Sequence, residues 1–423
     1  MSSVAAAQAG SAHEAALAAL DQTVVHLAGV KVAAEVSDAV GPRSFLHAGP
    51  PIDTADLLGP MRAAAMGALV LEGEAADLDE AGAIIDGGGL ELRPAHEVGG
   101  LSAAAGVISP RVPVVVARST EGREAFAPLH EGNDMPLRYG AYGPETLERL
   151  RHLGSRTAPA LDAAIQTSAP IELTALQAEG LRRGDECHNR NAATSAAIVL
   201  ALAPALVRAD PEFAARFLEE VAENNQFFLG FSMAAAKVIG DEAHDRAEPG
   251  IVTAIAANGR RVGLRVSGCG DRWFTTEAPL GQPRIFEPHT LADACPLMGD
   301  SFATEVMGLG ALASSAAPAL ASFLGADPLD AVRKVAEMRR ICAGESTRFL
   351  LPFERYRGTP IGIDVGAVFE TGVAPLVNGG FAHRTPGAGM VGAGVVRLPL
   401  EPFAEARSYL RNADDKGDVT TWQ

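Results

Sequence analysis

The sequence predicts an α+β fold in which two mixed α/β regions flank a helical middle region. Three observations lead to this prediction: strand patterns before residue 145, strand patterns again after residue 250, and helix patterns alone between them. The chain has 423 residues, more than one hydrophobic core usually serves, so two or three domains are expected. The predicted domains are 1–145, 146–245 and 246–423.

The first region combines strand and helix patterns. Residues 44–47 form a short apolar run that ends at a Gly-Pro-Pro turn, and residues 57–71 have the pattern of a helix. Residues 112–117 (VPVVVA) form a continuous β-branched run, which is typical of a strand buried on both faces.

The middle region shows helix patterns only. Pro144 stands just ahead of ETLERLRHL, at a position that helix N-termini favour. Asp210 followed by Pro211 predicts an N-cap and a first-turn proline. Residues 192–207 are mostly apolar, and we predict a buried helix because the run is too short to span a bilayer. The apolar run at 307–325, in the last region, is padded with small residues and is also predicted to be a buried helix.

The last region returns to strand patterns. Residues 251–267 contain the clearest hairpin of the chain. Asn258 and Gly259 are predicted at the two positive-φ positions of its type I′ turn. Asp327 followed by Pro328 predicts the start of another capped helix.

Composition excludes several classes of partner. Asp and Glu number 52 against 35 Lys and Arg, a formal charge of −17, whereas a nucleic-acid-binding protein needs a basic surplus to neutralise phosphates. The four cysteines include no C-x-x-C pair, and the first residues lack the Lys or Arg of a signal peptide. We therefore expect reduced thiols, a cytoplasmic location, and neither nucleic acid nor a membrane as a partner.

The strongest candidate for chemistry is the run GDECHNRN at 184–191, directly before the apolar helix. If this run forms the first turns of that helix, Asp185, His188 and Asn189 share one face, at spacings of three and four residues. Asp185 would then orient His188 as a general acid/base, with Glu186 and Asn189 in the same catalytic group. The alternative is a capped, solvated helix end with ordinary side-chain pairs.

Two further residues of this run are candidates for chemistry. Arg190 would bind a phosphate or carboxylate through its planar guanidinium group. Cys187, near a helix N-terminus and beside His188, has the surroundings of a nucleophile. Adjacent helical residues point about 100° apart, however, so His188 is badly placed to deprotonate Cys187, and we expect Cys187 to be a bystander.

A glycine-rich loop near the C-terminus is a second candidate site. Gly387, Gly389 and Gly392 match G-x-G-x-x-G, but a predicted strand follows them where a dinucleotide site requires a helix. We therefore expect no NAD site. Two alternatives stay open: the loop N–H groups form a small anion site with His383 and Arg384, or the glycines only form a tight turn.

Charged residues elsewhere complete the candidate site. Asp271 and Asp300 would act as acids or metal ligands, although turn and cap chemistry explains them equally well. Together with Glu305 they are predicted to bind substrate. His47 and Arg138 are predicted to bind substrate from the first region. The sequence contains no H-x-x-x-H, H-E-x-x-H or P-loop motif, so we expect no metal and no cofactor.

These segments, taken in order, are similar to a known family. The segments that carry the similarity include FLHAGPPI, HEGNDMPLRYGAY, GDECHNRNAATS, GDSFATE and NGGFAHRTPGAGMVGAG. Over roughly residues 40–400 the chain resembles the AllG family of oxamate carbamoyltransferase subunits. The resemblance implies an α+β fold with a small helical domain. It also implies an enzyme that interconverts oxalurate plus phosphate with oxamate plus carbamoyl phosphate in anaerobic allantoin breakdown.

The resemblance also implies partners. These are a small carbamoyl or amide substrate, phosphate, an acyl-CoA-synthetase-like partner subunit and a further small subunit. We also expect a homo-oligomer of the chain. Carbamoyl transfer in such a complex is the first of three functions that we consider. The others are a stand-alone hydrolase or ligase of amide or C–N bonds, and a non-catalytic scaffold subunit with GDECHNRN as an interface.

One shared cleft is expected for all of these functions except the scaffold. Active sites commonly lie where domains meet, so we predict that the cleft gathers 184–191 with Asp271, Asp300 and Arg384. In it, Arg190 and Arg384 would bind phosphate, and His188 would act at the carbamoyl nitrogen.

Overall fold

The computed structural model describes residues 13–246 and 248–415, so the outer limits of the first and last predicted domains lie outside the described residues. Helices and small sheets both occur throughout these ranges, which confirms the α+β class. The domain limits stay a prediction. The largest hydrophobic core draws residues from all three regions, from Ala16 near the N-terminus to Ala406 in the last helix.

The first region is built on two small sheets. Its elements are α1 Glu14–Gln22, β1 Val25–Val32, β2 Ser44–His47, α2 Gly59–Glu72, α3 Leu78–Asp86, β3 Glu91–Pro94, β4 Val107–Ile108, β5 Pro113–Ser119 and β6 Glu124–Pro128. The predicted buried strand is β5, which lies between β1 and β6 in an antiparallel sheet. Strand β2 pairs parallel with β3 and antiparallel with β4. The predicted helix over 57–71 is α2, whose first turn contains Pro60.

The middle region is helical, as predicted. Its elements are α4 Pro144–His152, α5 Ala158–Thr167, α6 Leu173–Arg182, α7 Ala192–Ala209, α8 Pro211–Ala222 and α9 Leu229–Arg246. Every residue of 144–246 is described, and none lies in a strand. Asp210 caps α8 as predicted, because its carboxylate accepts the N–H of Phe213 and Pro211 occupies the first turn.

Helix α7 differs from the prediction. Its buried residues follow one stripe, at Thr194, Ser195, Ile198, Leu202, Ala205 and Leu206. Only 33% of the helix is buried, and Leu200 is 75% exposed, so the predicted fully buried helix is wrong. The helix has 18 residues and a mean hydropathy of 1.7, so it is long and apolar enough to cross a membrane. The prediction that this run is too short to span a bilayer is therefore also wrong. One such helix is weak evidence of a membrane, because core helices meet the same criteria.

The last region combines short helices with three small sheets. Its elements are β7 Val252–Asn258, β8 Arg261–Val266, β9 Phe274–Glu277, β10 Arg284–Ile285, β11 Met298–Gly299, α10 Ala303–Val306, α11 Pro318–Phe323, α12 Pro328–Met338, β12 Cys342–Leu351, β13 Arg357–Ile363, α13 Val365–Thr371, β14 Leu376–Ala382, β15 Met390–Arg397 and α14 Glu401–Asp415. The sheet orders are β11-β7-β8-β9, β10-β15-β14 and β12-β13. Asp327 caps α12 as predicted.

The apolar run at 307–325 is not one buried helix. Gly308 and Gly310 adopt positive φ of 87° and 57°, which interrupts any regular helix at its start. A 3₁₀ segment, Gly310–Ala316, follows, and Pro318 then begins α11 as a first-turn proline. The small residues that pad the run therefore serve turns, not one continuous helix.

The predicted hairpin is formed by β7 and β8, but its turn differs from type I′. Gly259 has a φ of 82°, whereas Asn258 does not adopt a positive φ. The Oδ1 atom of Asn258 accepts the N–H groups of Arg260 (3.1 Å) and Arg261 (2.8 Å). Its Nδ2 donates to the carbonyl of Pro50 at 2.8 Å. Asn258 therefore joins the hairpin to the first region, a long-range role that the turn pattern did not indicate.

We predict that Asn258→Ala destabilises the protein by about 1–3 kcal/mol, because it leaves buried N–H and carbonyl groups without partners. The control is Asn412→Ala, the same change at an exposed position of α14, which should stay within about ±0.5 kcal/mol. Chemical denaturation of both variants measures the difference. Equal stability of the two variants would show that Asn258 is only a turn residue.

Candidate functional site

The run GDECHNRN forms a compact loop before α7 and not its first turns. Gly184 and Cys187 adopt positive φ of 96° and 63°, which no helical turn allows. The Oδ2 atom of Asp185 accepts hydrogen bonds from the N–H (2.8 Å) and the hydroxyl (3.0 Å) of Thr194. Asp185 therefore caps the first turn of α7. The predicted pairing of Asp185 with His188 on one helical face is wrong, because the backbone between them is not helical.

His188 is held by two side chains from a distant segment. Its Nδ1 lies 2.9 and 3.0 Å from the carboxylate oxygens of Glu305, and its Nε2 lies 2.8 Å from the Oγ of Ser301. With Nδ1 donating to Glu305, Nε2 can accept the proton of the Ser301 hydroxyl. Glu305 is fully buried. Its predicted role in substrate binding is therefore wrong: Glu305 orients His188, the role predicted for Asp185.

The charge of Glu305 sets the protonation of His188. Burial of the ring favours the neutral imidazole, but the charge of Glu305 and its hydrogen bond outweigh burial and raise the pKa of His188 above 6.5. Glu186 acts in the same direction. The surroundings thus stabilise the protonated ring, which suits a group that takes up a proton during a reaction.

The carboxylate of Glu305 is fixed by several donors. It accepts the N–H groups of Asn378 (2.8 Å) and Ala311 (3.1 Å) and the hydroxyl of Thr304 (2.9 Å). Gly310 packs directly on the carboxylate, and a Cβ at this position would overlap it. Gly310 is therefore needed both for its positive φ and for this close approach.

Glu186, predicted as a catalytic residue, organises the loop instead. Its carboxylate accepts the N–H groups of Arg190 (2.6 Å) and His188 (3.2 Å) and the side-chain amide of Asn378 (3.1 Å). Burial raises the pKa of Glu186 to about 7, and His188 opposes this shift. Glu186 is fully buried and does not line the cavity beside His188, and its hydrogen bonds hold the loop in shape.

A cavity of about 340 Å³ opens beside His188 and Ser301. The polar residues that line it are Asn133, Arg138, Tyr139, His188, Asn189, Arg190, Asn191, Asn225, Gln226 and Ser301. Phe286, Leu320 and Phe323 contribute apolar surface. The walls come from all three regions of the chain. The cavity brings together four residues predicted for the site: His188, Asn189, Arg190 and Arg138.

Three buried polar atoms around the cavity have no hydrogen-bond partner within the described residues: Nη1 of Arg138, Nδ2 of Asn189 and Oδ1 of Asn191. The orientation of Asn191 is fixed, because its Nδ2 donates to the carbonyl of His188 at 2.7 Å. Buried polar groups normally have partners, so such atoms indicate where the polar groups of a ligand bind. Two donors and one acceptor suit a ligand with both carbonyl oxygens and an N–H group.

Two guanidinium groups line the cavity, and each lies 3.7 Å from a carboxylate, Arg138 from Glu131 and Arg190 from Asp185. Arg138 is buried and stacks on Tyr139 with its centre 5.3 Å from the ring centroid. Arg190 donates Nε to the carbonyl of Gly184 (3.0 Å), and its side chain is 37% exposed. Guanidinium groups bind carboxylates and phosphates through paired N–H groups, so the cavity suits a small anion.

Asp300 and His47, both predicted to bind substrate, are fully buried and do not line the cavity. Asp300 accepts the N–H groups of Gly49 (2.7 Å) and Ser102 (2.8 Å), and burial raises its pKa to about 7. The Nδ1 of His47 donates to the carbonyl of Ala48 at 2.7 Å, and burial lowers the pKa of His47 to about 4. Both predictions are therefore corrected to structural roles.

Asp271, Arg384, Gly387 and Gly389 do not line this cavity, although Met390 and Ala393 of the glycine-rich segment do. The side chain of Asp271 is 97% exposed and pairs with Arg265. Arg384 donates to the carbonyl of Ala294 at 3.2 Å. The N–H of Gly387 donates to the carbonyl of Gly140 at 3.0 Å, so it is not free to bind an anion. Gly387 and Gly389 lie in the turn between β14 and β15, which supports the tight-turn alternative.

His383 lies in a different cluster, which could hold a metal ion. The ligand atoms of His289, Asp293 and His383 lie within 4.8 Å of one another, and all three residues are partly exposed. The Nδ1 of His383 accepts the N–H of Thr385 at 2.8 Å, which leaves Nε2 facing Asp293 at 3.9 Å. Two imidazoles and one carboxylate suit Zn²⁺ or a similar ion. The expectation that the chain uses no metal stays a prediction.

Sequence reasoning missed Ser301 as the partner of His188. A usable signal exists in GDSFATE, where Ser301 and Glu305 stand four residues apart, across the turn that leads into the helix Ala303–Val306. Asn191, Asn225 and Gln226 gave no comparable signal, because side-chain amides of this kind are equally common in turns and caps.

A wider groove of about 940 Å³ lies on the other side of Asn133. It is more open than the cavity beside His188, and Glu145, Glu148, Glu220 and Glu223 contribute to its lining. It contains no histidine paired with both a carboxylate and a hydroxyl among the described residues. The smaller cavity is therefore the candidate active site.

A family model and a curated relative name the same family. A family model described as oxamate carbamoyltransferase subunit AllG matches residues 90–301. The chain is 38% identical over 373 residues to the Escherichia coli protein of that name, covering 87% of this chain and 89% of the relative. It is 34% identical over 398 residues to the uncharacterized protein YahG of the same organism, covering 93% and 84%. A crystal structure of a conserved Enterococcus faecalis protein of unknown function has a TM-score of 0.92 and 36% identity, covering 96% and 97%.

We predict that Gly310→Ala disrupts the candidate site. A left-handed alanine costs about 1–2 kcal/mol, and overlap with the Glu305 carboxylate should add about 1–3 kcal/mol. The matched control is Gly325→Ala, where φ is 78° and no atom lies within 4 Å of the added Cβ. Equilibrium unfolding measures both variants. Equal losses of stability would mean that Glu305 tolerates the methyl group and that the carboxylate is not tightly fixed.

Proposed function

The chain belongs to the AllG family, and from this premise we propose that it is a carbamoyltransferase subunit whose active site is the cavity beside His188. The proposed reaction interconverts oxalurate plus phosphate with oxamate plus carbamoyl phosphate. One observation carries the proposal: the His188 ring, oriented by Glu305, faces a cavity whose buried donors and acceptor lack partners among the described residues.

The free polar atoms of the cavity match a carbamoyl group. Such a group has one carbonyl oxygen, which accepts hydrogen bonds, and one NH₂, which donates them. Asn189 Nδ2 would donate to the oxygen, and Asn191 Oδ1 would accept from the nitrogen. Arg138 and Arg190 would bind the carboxylate of oxamate or the phosphate, since both are small anions.

His188 would supply the proton transfers. Breaking oxalurate between the carbamoyl carbon and the oxamate nitrogen requires that this nitrogen gain a proton as it leaves. In the reverse direction, the amide nitrogen of oxamate must lose a proton to attack carbamoyl phosphate. A histidine that can carry or release a proton at Nε2 serves both directions. Glu305 would stabilise the imidazolium that forms in between.

We also propose the setting in which this subunit works. An acyl-CoA-synthetase-like subunit is the proposed partner, in a cytoplasmic complex that takes part in allantoin degradation and contains more than one copy of the chain. Co-purification of the tagged chain from its own cells, with identification of the bound proteins, tests the partner. Recovery of the chain alone from every extract would contradict a complex.

A stand-alone hydrolase would use the same residues but would need no phosphate. Release of oxamate from oxalurate at an equal rate with and without phosphate would favour the hydrolase. A strict requirement for phosphate, with carbamoyl phosphate as product, would favour the transferase. In a non-catalytic scaffold, no ligand would bind the unpartnered atoms of Asn189 and Asn191. Of the three functions, the scaffold therefore has the least support from the cavity.

We predict that His188→Gln lowers the transfer rate of the assembled complex by about 10²–10⁴-fold, because it keeps a polar group of similar size but removes the titratable nitrogen. The thermal unfolding midpoint should change little. Oxalurate consumption in the presence of phosphate measures the rate. The control is His152→Gln, the same change at an exposed histidine outside this cavity, which should keep full activity. A fully active but destabilised His188→Gln would make His188 structural and remove the basis of the proposal.

We predict that Glu305→Gln shifts the acidic limb of the pH profile to lower pH. The neutral form of His188 accepts the proton, so activity falls as the pH drops through the pKa of His188, which Glu305 holds above 6.5. Without the negative charge of Glu305, only Glu186 still opposes the effect of burial, so the pKa of His188 falls. The dependence of kcat/KM on pH for the two proteins measures the shift. An unchanged limb would show that a group other than His188 titrates.

A further inference from the structure

Ser301 has a position relative to His188 that the proposed acid/base chemistry does not use. Its Oγ lies 2.8 Å from His188 Nε2, while Nδ1 on the far side of the ring lies 2.9 Å from Glu305. Hydroxyl, imidazole and carboxylate therefore form one hydrogen-bonded series. This is the arrangement in which a hydroxyl is activated as a nucleophile: an adjacent base accepts its proton, and a third group orients the base.

The series is oriented toward the cavity. Ser301 and His188 line the cavity, whereas Glu305 is fully buried behind the ring. A serine that only satisfied the ring would not need to face the cavity. Ser301 is 9% exposed, so its hydroxyl can meet a ligand in the cavity while most of the residue is held in place by its surroundings.

Donors for the developing charge lie in the same cavity. Attack by a hydroxyl on a carbonyl carbon places negative charge on the carbonyl oxygen, and fixed N–H donors stabilise it. Asn189 Nδ2 and Arg138 Nη1 are the buried donors of this cavity that have no partner within the described residues. The same cavity thus offers the elements of acyl transfer: a hydroxyl, a base that is oriented by a carboxylate, and donors for an oxyanion.

We propose that Ser301 is the nucleophile of the reaction and carries the carbamoyl group as a covalent ester between two half-reactions. This inference rests on the proposed function. In the first half, Oγ attacks the carbamoyl carbon of oxalurate and His188 takes the hydroxyl proton. The C–N bond to oxamate breaks, and the departing nitrogen receives that proton from His188.

In the second half, an oxygen of phosphate attacks the carbamoyl carbon of the ester, and its proton passes to His188. The bond from this carbon to Oγ breaks, and Oγ regains a proton from His188. Carbamoyl phosphate leaves, and Ser301 is restored. Each half exchanges one bond and one proton, so the reaction needs neither an oxidant nor a reductant.

An isotope-exchange experiment on the assembled complex tests the covalent step. Labelled oxamate and unlabelled oxalurate are incubated without phosphate, and the label in oxalurate is measured over time. A carbamoyl-serine predicts exchange, because oxamate can leave and return while the carbamoyl group stays on the enzyme. Direct transfer predicts no exchange without phosphate. Absence of exchange in a complex that converts oxalurate when phosphate is added overturns the inference and leaves the proposed function intact.

Serine variants test whether Ser301 is the residue that carries the carbamoyl group. Ser301→Ala should lower both exchange and overall transfer by at least about 10³-fold, as loss of a catalytic nucleophile does. Ser155→Ala, the same change at an exposed serine of the middle region, should keep both activities. Near-normal transfer by Ser301→Ala would show that Ser301 is not the nucleophile. A loss of transfer in His188→Gln, measured alongside it, would still support the proposed function.

Mass spectrometry of the unmodified chain avoids dependence on the folding of a variant. The complex is incubated with oxalurate without phosphate, quenched in acid and digested, and the peptides are examined for the added mass of one carbamoyl group. The inference predicts this mass on the peptide that contains Ser301, and its loss when phosphate is added before quenching. Carbamoyl on a different residue overturns it. A complex with no transfer and no exchange under any condition overturns the proposed function as well, which distinguishes the two failures.

Discussion

Two buried carboxylates, those of Glu186 and Glu305, meet at Asn378. The side-chain amide of Asn378 donates to Glu186, and its backbone N–H donates to Glu305. Removing carboxylates from water costs several kcal/mol each unless hydrogen bonds replace the lost hydration, so neither group is tolerated without these donors. Strand β14, the loop 184–191 and the segment that ends at Glu305 are therefore held to one another. His188 lies against both carboxylates, and its position follows from theirs.

Local signals predicted much of the fold. These signals depend on residues that are adjacent in sequence. The structure contains four features predicted in this way: the caps Asp210 and Asp327, the first-turn proline Pro144 and the buried strand β5. The wrong predictions concern features whose conformation or burial depends on residues far away in the sequence. The turn at Asn258 is shaped by its bond to Pro50, 208 positions away. Which faces of α7 are buried depends on the neighbouring helices, and its almost uniform apolar sequence does not reveal them.

The sequence indicated where the candidate site lies, but not which carboxylate pairs with His188. A cluster of donors before an apolar run led to the prediction of His188, Asn189 and Arg190, and all three line the cavity. The partner of His188 was assigned to Asp185 from helical spacing. Glu305, the partner in the structure, lies 117 positions away, and no spacing rule spans that distance. Asp271, on its glycine-flanked loop, was predicted to be in the site but lies outside the cavity. Turn chemistry and active-site chemistry produce the same local sequence pattern, so the sequence did not distinguish them.

The overall charge of the chain makes the two cavity arginines decisive for anionic substrates. A formal charge of −17 disfavours the approach of small anions at long range. At physiological ionic strength, however, exposed charges are screened beyond about 8 Å, so groups within the cavity dominate once a ligand enters. There Glu305 lies behind the His188 ring, whereas Glu131 and Asp185 each lie 3.7 Å from one of the cavity guanidinium groups, those of Arg138 and Arg190. In the proposed reaction, the position of Glu305 behind the ring would let it stabilise an imidazolium with the ring between its charge and an anionic substrate.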